Sequence, residues 1–189
     1  MSRTRSVLVG LLVGVLAACW CAGIGTVHGH RWLDFRSTGR DFFQNWVNAR
    51  ALARGADPYV VGCPVTPPCA DARQYYPATA GVAVLPLAAI PAGAAAVLFV
   101  GLSAGVLGFA IARTGAWRAP MLLSWPFIVA VDGGQWAPLL VAAALLPGMR
   151  WLYPVKPQLG LALFAWRPSW RAVLLGLALL AVSLALMPT

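Results

Sequence analysis

The chain has 189 residues, of which 60% are hydrophobic and only 10% are charged, and its mean hydropathy is +0.76. A soluble domain averages about 25% charged residues, so this composition is typical of a membrane protein. The net charge of +9 is sparse and divided among apolar runs, which leaves no basic soluble face and excludes nucleic acid as a partner.

The first predicted element is a membrane helix within residues 1–28. Its apolar run from Ser6 to His28 is long for a signal peptide and has no clear A-x-A cleavage site. Arg3 and Arg5 precede the run, and basic residues favour the cytoplasmic side. The abundance of Ala, Gly, Pro and Arg is typical of GC-rich bacterial genomes. We therefore expect a multi-pass protein of the bacterial inner membrane with a cytoplasmic N-terminus.

Residues 29–77 are predicted to form an extracytoplasmic loop, which holds four of the five acidic residues. Within it, Asp41 begins an amphipathic segment that continues to about Arg54, where GADPY breaks the pattern. Such a helix suits the plane of the membrane interface. In the simplest interpretation, Asp41 only caps this helix.

Cys63 and Cys69, in CPVTPPC, form a possible disulfide of the same loop. The prolines stiffen this short loop, and its geometry can also forbid the bond. No further Cys or His with ligand spacing lies nearby in the loop, so the sequence predicts no metal site there.

Residues 78–189 are predicted to be a helical membrane bundle. Breaks are expected at Pro91 and at VDGGQ (131–135), and several segments are shorter than the roughly 20 residues of a full crossing. The chain is thus predicted to be a single all-α membrane domain with six or seven transmembrane or half-membrane helices. The positive-inside rule favours a cytoplasmic position for Arg113 and Arg118, whereas a hairpin over 78–112 would place them outside.

Charged groups in an apolar context are functional-site candidates. Besides Asp41 they are Asp132 with Gln135, in the DGGQ break, and Lys156, in YPVKPQ. Each has a simpler interpretation, as a solvated turn or as a lysine that extends to the interface. Together, a cation that holds a lipid phosphate and a carboxylate that takes a proton from a hydroxyl suit sugar transfer from a lipid-phosphate donor. Tyr76 fits the same site or an aromatic belt.

Four stretches resemble the polyprenol-phosphate-mannose-dependent mannosyltransferases of glycosyltransferase family 87, in the GT-C superfamily. They occur in the family's order: RDFFQNWVNARALARGADPY (40–59), YYPATAGVAVLPLAAIP (75–91), GQWAPLLVAAALL (134–146) and VKPQLGLALFAWRPSWR (155–171). The chain has YPA where the family has YPP, and Asp132 is not a family feature. Family members are considerably longer, so we expect the chain to correspond to their N-terminal half.

The resemblance implies an inverting membrane glycosyltransferase with Asp41 as general base for the acceptor hydroxyl. It implies a polyprenyl-phosphate mannose donor, a glycolipid or glycan acceptor, contact with membrane lipids, and no cofactor or metal. The substrate-binding candidates are Arg40, Asn45, Arg50, Arg54, Tyr76, Asp132, Gln135 and Lys156. Two alternatives stay open: a non-catalytic protein that binds lipid-linked sugar or a partner subunit, and a small transporter, although no internal inverted repeat is visible.

Overall fold

The computed structural model describes residues 2–27, 40–59 and 76–187. These residues form helices joined by turns, without a strand among them, which confirms the all-α prediction. The α-helices are α1 (Arg3–Val27), α2 (Arg40–Ala53), α3 (Ala78–Ala83), α4 (Ala92–Thr114), α5 (Trp125–Asp132), α6 (Ala137–Leu145), α7 (Pro157–Trp166) and α8 (Trp170–Leu186). Three 3₁₀ helices, Leu85–Leu87, Ala116–Leu123 and Pro147–Val155, lie between them.

Two of the described helices are long and apolar enough to cross a bilayer, over Arg3–Gly23 and Ala92–Thr114. Helix α8 is apolar but has 17 residues, and α5, α6 and α7 have only 8 to 10. A full crossing takes about 20 residues. The two long helices fit a membrane protein, and the number of six or seven spans stays a prediction.

The two long helices pack closely because glycines meet at their contact. A Cβ atom added to Gly14 would lie 2.7 Å from the carbonyl oxygen of Gly101, and one added to Gly10 would lie 2.8 Å from that of Gly105. Small residues four apart allow this approach of two backbones in a membrane. The pairing of Gly10 with Gly105 and Gly14 with Gly101 makes the helices antiparallel. The start of α1 and the end of α4 therefore lie at the same end of the bundle.

Helix α2 forms where the amphipathic pattern predicts it, but protein surrounds more of it than expected. Every residue from Phe42 to Ala49 is buried. The Phe42 ring stacks on Phe99 of α4 at 4.7 Å between centroids, and Phe99 meets Trp136 edge-on at 4.9 Å. Aromatic side chains anchor the helix to α4, and its amide side chains Asn45 and Asn48 are interior groups. The position of α2 in the plane of the membrane interface stays a prediction.

The expected breaks occur at proline and glycine. Helix α4 starts directly after Pro91, and α5 and α6 are separated by a turn in which Gly134 has a φ of +61°. Such a φ is strained for residues other than glycine. The apolar run 151–166 does not form one helix, because Pro154 and Pro157 confine its first part to a 3₁₀ helix and start α7 after Lys156.

Candidate functional site

Asp41 lies in the first turn of α2, where one contact fixes its backbone and another its side chain. Its amide N donates to the carbonyl oxygen of Gly133 at 3.0 Å, and its Oδ2 accepts from the Tyr76 hydroxyl at 3.1 Å. Arg40 already begins the helix, so the cap position precedes it, outside the described residues. The half-buried carboxylate is thus held by a tyrosine rather than serving as the cap residue of α2.

The Tyr76 hydroxyl also meets a cation. The Nζ atom of Lys156 donates to this hydroxyl at 3.4 Å and lies 5.3 Å from the centroid of the tyrosine ring. Carboxylate, phenol and ammonium therefore form one chain, although they are separated by 35 and 80 positions in the sequence. The fold brings together three residues that sequence analysis selected separately.

Tyr76 stays protonated in this arrangement. Burial raises the pKa of its hydroxyl, and the negative charge of Asp41 and the hydrogen bond to it raise the pKa further. A phenol that keeps its proton can only donate to the carboxylate, so it holds Asp41 in place while it accepts from Lys156.

Two further residues position the hydrogen-bonded series Asp41–Tyr76–Lys156, and neither was among the predicted site residues. The buried Thr79 hydroxyl of α3 donates to the carbonyl oxygen of Pro154 at 3.1 Å, two residues before Lys156. Asn48 Nδ2 donates to the carbonyl oxygen of Tyr76 at 3.5 Å. Helical spacing could have indicated Asn48 as a site residue, because positions 41, 45 and 48 share one face of a helix. No pattern in the sequence could have indicated Thr79.

The predicted residue Asn45 stands directly behind Asp41. Its Nδ2 donates to the carbonyl oxygen of Asp41 at 2.7 Å, and its side chain is fully buried. The Oδ1 atoms of Asn45 and Asn48, and Nε1 of Trp136, have no hydrogen-bond partner in the described part of the chain. Buried polar atoms are usually paired. The interior behind the carboxylate is thus unusually polar for an apolar bundle.

The DGGQ turn lies against the start of α2. Gly133 supplies the carbonyl oxygen that accepts from Asp41, which places Asp132 beside the same helix turn. Gln135 is half-buried, and its amide N donates to the carbonyl oxygen of Ala130 at 2.8 Å. Both predicted residues therefore belong to the turn that contacts the backbone of Asp41.

An apolar groove of about 410 Å3 leads toward this turn between α1 and α5. Ala17 and Trp20 of α1 and Phe127 and Val131 of α5 are among its lining residues. Val131 directly precedes Asp132, so one end of the groove adjoins the polar turn.

The other predicted site residues make no contact with the hydrogen-bonded series Asp41–Tyr76–Lys156 in the described part of the protein. The Arg50 guanidinium lies 4.7 Å from the Trp46 ring centroid, and at a rise of about 1.5 Å per residue it is roughly 13 Å along α2 from Asp41. Arg54 is exposed beyond the end of α2. The Arg40 side chain lies outside the described residues, and so does the possible disulfide of Cys63 and Cys69. Among the described residues, no cluster of three or more His, Cys, Asp or Glu side chains is arranged to hold a metal ion.

No protein-family model, curated protein or solved structure matches this chain. The resemblance to glycosyltransferase family 87 therefore rests on the four sequence stretches given above.

Proposed function

We propose that this chain is a membrane glycosyltransferase, or the N-terminal module of one, that transfers a sugar from a polyprenyl-phosphate donor to an acceptor hydroxyl. Mannose is the sugar that the family resemblance implies. The observation that carries the proposal is the Asp41–Tyr76–Lys156 chain, which joins a carboxylate to a cation through one hydroxyl.

Each group in the chain has a chemical task in this reaction. Asp41 takes the proton of the acceptor hydroxyl as that oxygen forms a bond to the anomeric carbon of the sugar. The bond from this carbon to the phosphate oxygen breaks, and polyprenyl phosphate leaves with the electron pair. Attack opposite the leaving group inverts the anomeric centre. Lys156 offsets the negative charge of the phosphate, and Tyr76 orients the carboxylate.

The distribution of charge supports an extracytoplasmic position for Asp41. Because α1 and α4 are antiparallel, Arg3 and Arg5 lie at the same end as Arg113 and the following Arg118. Basic residues near membrane helices favour the cytoplasmic side. Asp41 belongs to the opposite end, since its neighbour Phe42 packs on Phe99 in the first half of α4.

The apolar groove between α1 and α5 supports a lipid-linked donor. A polyprenyl tail needs an apolar surface, and its phosphate needs a nearby cation. Val131, one of its lining residues, directly precedes Asp132 and the Gly133 whose carbonyl oxygen accepts from the Asp41 amide N.

The test is sugar transfer by the chain in membranes supplied with polyprenyl-phosphate mannose and candidate glycolipid acceptors. Asp41→Asn keeps the shape and the Tyr76 hydrogen bond but removes the base, so we expect transfer to fall by about 10²- to 10⁴-fold. Asp57→Asn is the matched control, because its Oδ1 can still accept from the amide N of Tyr59. Equal transfer by Asp41→Asn and wild type would refute the catalytic proposal.

A second candidate function is binding of lipid-linked sugar without transfer. The position of Lys156 favours it, because an ammonium group attracts a lipid phosphate without the help of a base. This function predicts that polyprenyl-phosphate binding survives Asp41→Asn and weakens in Lys156→Ala. Transfer by the wild type would reject binding alone, whereas binding with no transfer on any acceptor would favour it.

A further inference from the structure

A second apolar groove, of about 430 Å3, lies on the surface of the α1–α4 pair, and the residues that line it belong to these two helices. It extends from Val7 to Ala18 on α1 and from Val97 to Phe109 on α4. Its lining includes residues that are well exposed, such as Leu11 at 60%. In a chain that crosses a membrane, this α1–α4 groove therefore opens toward the lipid.

Each of the two helices carries an arginine on the face that lines the groove, about one turn beyond its last lining residue. Positions 3, 7, 10 and 14 of α1 follow helical spacing, so Arg3 shares the face of Val7. Positions 102, 106, 109 and 113 of α4 follow the same spacing, so Arg113 shares the face of Phe109. Because the helices are antiparallel, both exposed arginines lie at the same end of the groove.

These two arginines lack an acidic partner in the described part of the chain. Neither the Arg3 nor the Arg113 side chain forms a hydrogen bond or an ion pair there. The described carboxylates lie elsewhere, in α2, after α2 and at the end of α5: Asp41, Asp57 and Asp132. Two cations and an apolar groove thus adjoin each other, which is the pattern of charge and hydrophobicity that an anionic lipid complements.

The neighbouring Arg118 differs, because the protein already occupies its guanidinium group. An Nη atom donates to the carbonyl oxygen of Thr114 at 2.9 Å, and the group stacks on the Trp117 ring at 4.4 Å from the centroid. Arg118 therefore covers the end of α4 and is not part of the site.

The dimensions of the groove fit one hydrocarbon chain. At about 1.5 Å per residue, the distance from Val7 to Ala18 is about 16 Å, roughly half of a 30 Å hydrocarbon core and so the depth of one leaflet. The mean cross-section is then about 26 Å2, whereas an α-helix about 10 Å across takes up about 80 Å2. Carbon atoms pack about 4 Å apart, so a methylene chain enters the groove where a helix of a second copy is too wide.

We propose that the α1–α4 groove binds an anionic phospholipid of the leaflet at the Arg3 end. One acyl chain lies in the groove, and the phosphate accepts paired hydrogen bonds from Arg3 and Arg113. This site is distinct from the groove between α1 and α5, and it does not depend on the proposed transfer reaction.

The experiment is native mass spectrometry of the whole chain released from micelles that contain phosphatidylglycerol or phosphatidylcholine. Wild type is expected to retain one phosphatidylglycerol and to release phosphatidylcholine. Arg3→Gln and Arg113→Gln are each expected to lower retention about tenfold, because each removes paired donors to the phosphate. Arg5→Gln is the matched control, since Arg5 is exposed at the same end but lies two residues on, on the other side of α1.

A second pair of variants tests the position of the acyl chain. Leu11 and Leu12 are both 60% exposed, but only Leu11 lines the groove. Leu11→Trp fills the groove and is expected to lower retention of phosphatidylglycerol about threefold, whereas Leu12→Trp should leave it unchanged. All the substituted side chains are exposed, so the buried core of each variant stays intact.

Four results would overturn the proposal. Equal retention of both lipids by wild type would show a general lipid coat. Equal losses in Arg3→Gln and Arg5→Gln, or no loss in Arg3→Gln and Arg113→Gln, would show that the groove-facing arginines hold no phosphate. A lipid-free dimer of wild type that Leu11→Trp dissociates would assign the groove to a second copy. Displacement of the lipid by an equal concentration of inorganic phosphate would show a free-anion site.

Discussion

Two buried tyrosines of the same core, Tyr76 and Tyr153, each lie near a cation in the chain, and they differ in one feature. Tyr76 lies between Lys156 and the carboxylate of Asp41, whereas the hydroxyl of Tyr153, buried in the same core, has no carboxylate partner among the described residues. With a carboxylate, the tyrosine has a defined acceptor and the group can take part in proton transfer. Without one, the tyrosine has no acidic partner for proton transfer.

The comparison shows that the local sequence supplies the charged and polar groups, whereas helix packing decides which of these groups meet. Lys156 and Arg150 belong to the same short stretch of chain, six residues apart, and at a rise of about 2.0 Å per residue the 3₁₀ helix Pro147–Val155 separates them by only about 12 Å.

The largest effect is expected from removing the aromatic contact that holds α2 at the Asp41 end. Phe99→Ala deletes a buried ring that touches Phe42 and Trp136, so the unfolding free energy should fall by about 3–5 kcal/mol. Leu102→Ala, on the same helix but 63% exposed, should change it by about 0.5 kcal/mol or less. Reversible unfolding in mixed micelles measures both, and equal losses would show that α2 is not anchored by this contact.

The next effect concerns the antiparallel pair that defines the two ends. Gly14→Val would force a side chain against the Gly101 carbonyl oxygen and separate α1 from α4, at a cost of about 1–3 kcal/mol. Gly23→Val is the matched control, because no atom lies within 4 Å of a Cβ atom added there. The same unfolding measurement applies, and an unaffected Gly14→Val would contradict the close helix contact.

A smaller effect isolates the hydroxyl between Asp41 and Lys156. Tyr76→Phe keeps the ring but removes the hydrogen bond to the carboxylate, so sugar transfer should fall about tenfold in kcat with the fold intact. Tyr59→Phe, whose hydroxyl accepts from the amide N of Ala78, should leave kcat unchanged. If the two variants behave alike, Tyr76 has no role in orienting Asp41.

The smallest effect is a dependence on alkaline pH. Because the pKa of Tyr76 is raised in the fold, the unfolded chain loses this proton first as pH rises above about 10. Unfolding free energy should therefore be insensitive to this group below pH 10 and fall above it. Ultraviolet difference spectra compared with Tyr76→Phe isolate the residue, and ionisation of Tyr76 near pH 10 in the folded protein would contradict its burial beside Asp41.

The sequence predicted the positions of helices and breaks better than it predicted which side chains meet in the fold. The bounds of α2 and the breaks at Pro91 and Gly134 follow from local rules for amphipathic helices, proline and glycine. The packing of α2 was not predictable, because the Phe42 ring stacks on Phe99, which is distant in sequence.

The candidate site was only partly predictable for the same reason. Asp41, Tyr76 and Lys156 were selected individually, but they meet only in the fold, where Thr79 donates to the carbonyl oxygen of Pro154, two residues before Lys156. Arg50 was a candidate for holding the donor phosphate because it is a cation on the same helix as Asp41, yet its guanidinium group stacks on Trp46. Composition and spacing carry no information on such contacts.

The central claim is that the Asp41 end and the arginine-rich end face opposite sides of a membrane. Single cysteines at Asp57 and Arg113, in a background with the four native cysteines replaced, would be labelled in intact cells with a membrane-impermeant thiol reagent. We predict that Asp57→Cys is labelled directly and that Arg113→Cys is labelled only after permeabilisation. Labelling of Arg113→Cys in intact cells, or protection of Asp57→Cys there, would contradict the account.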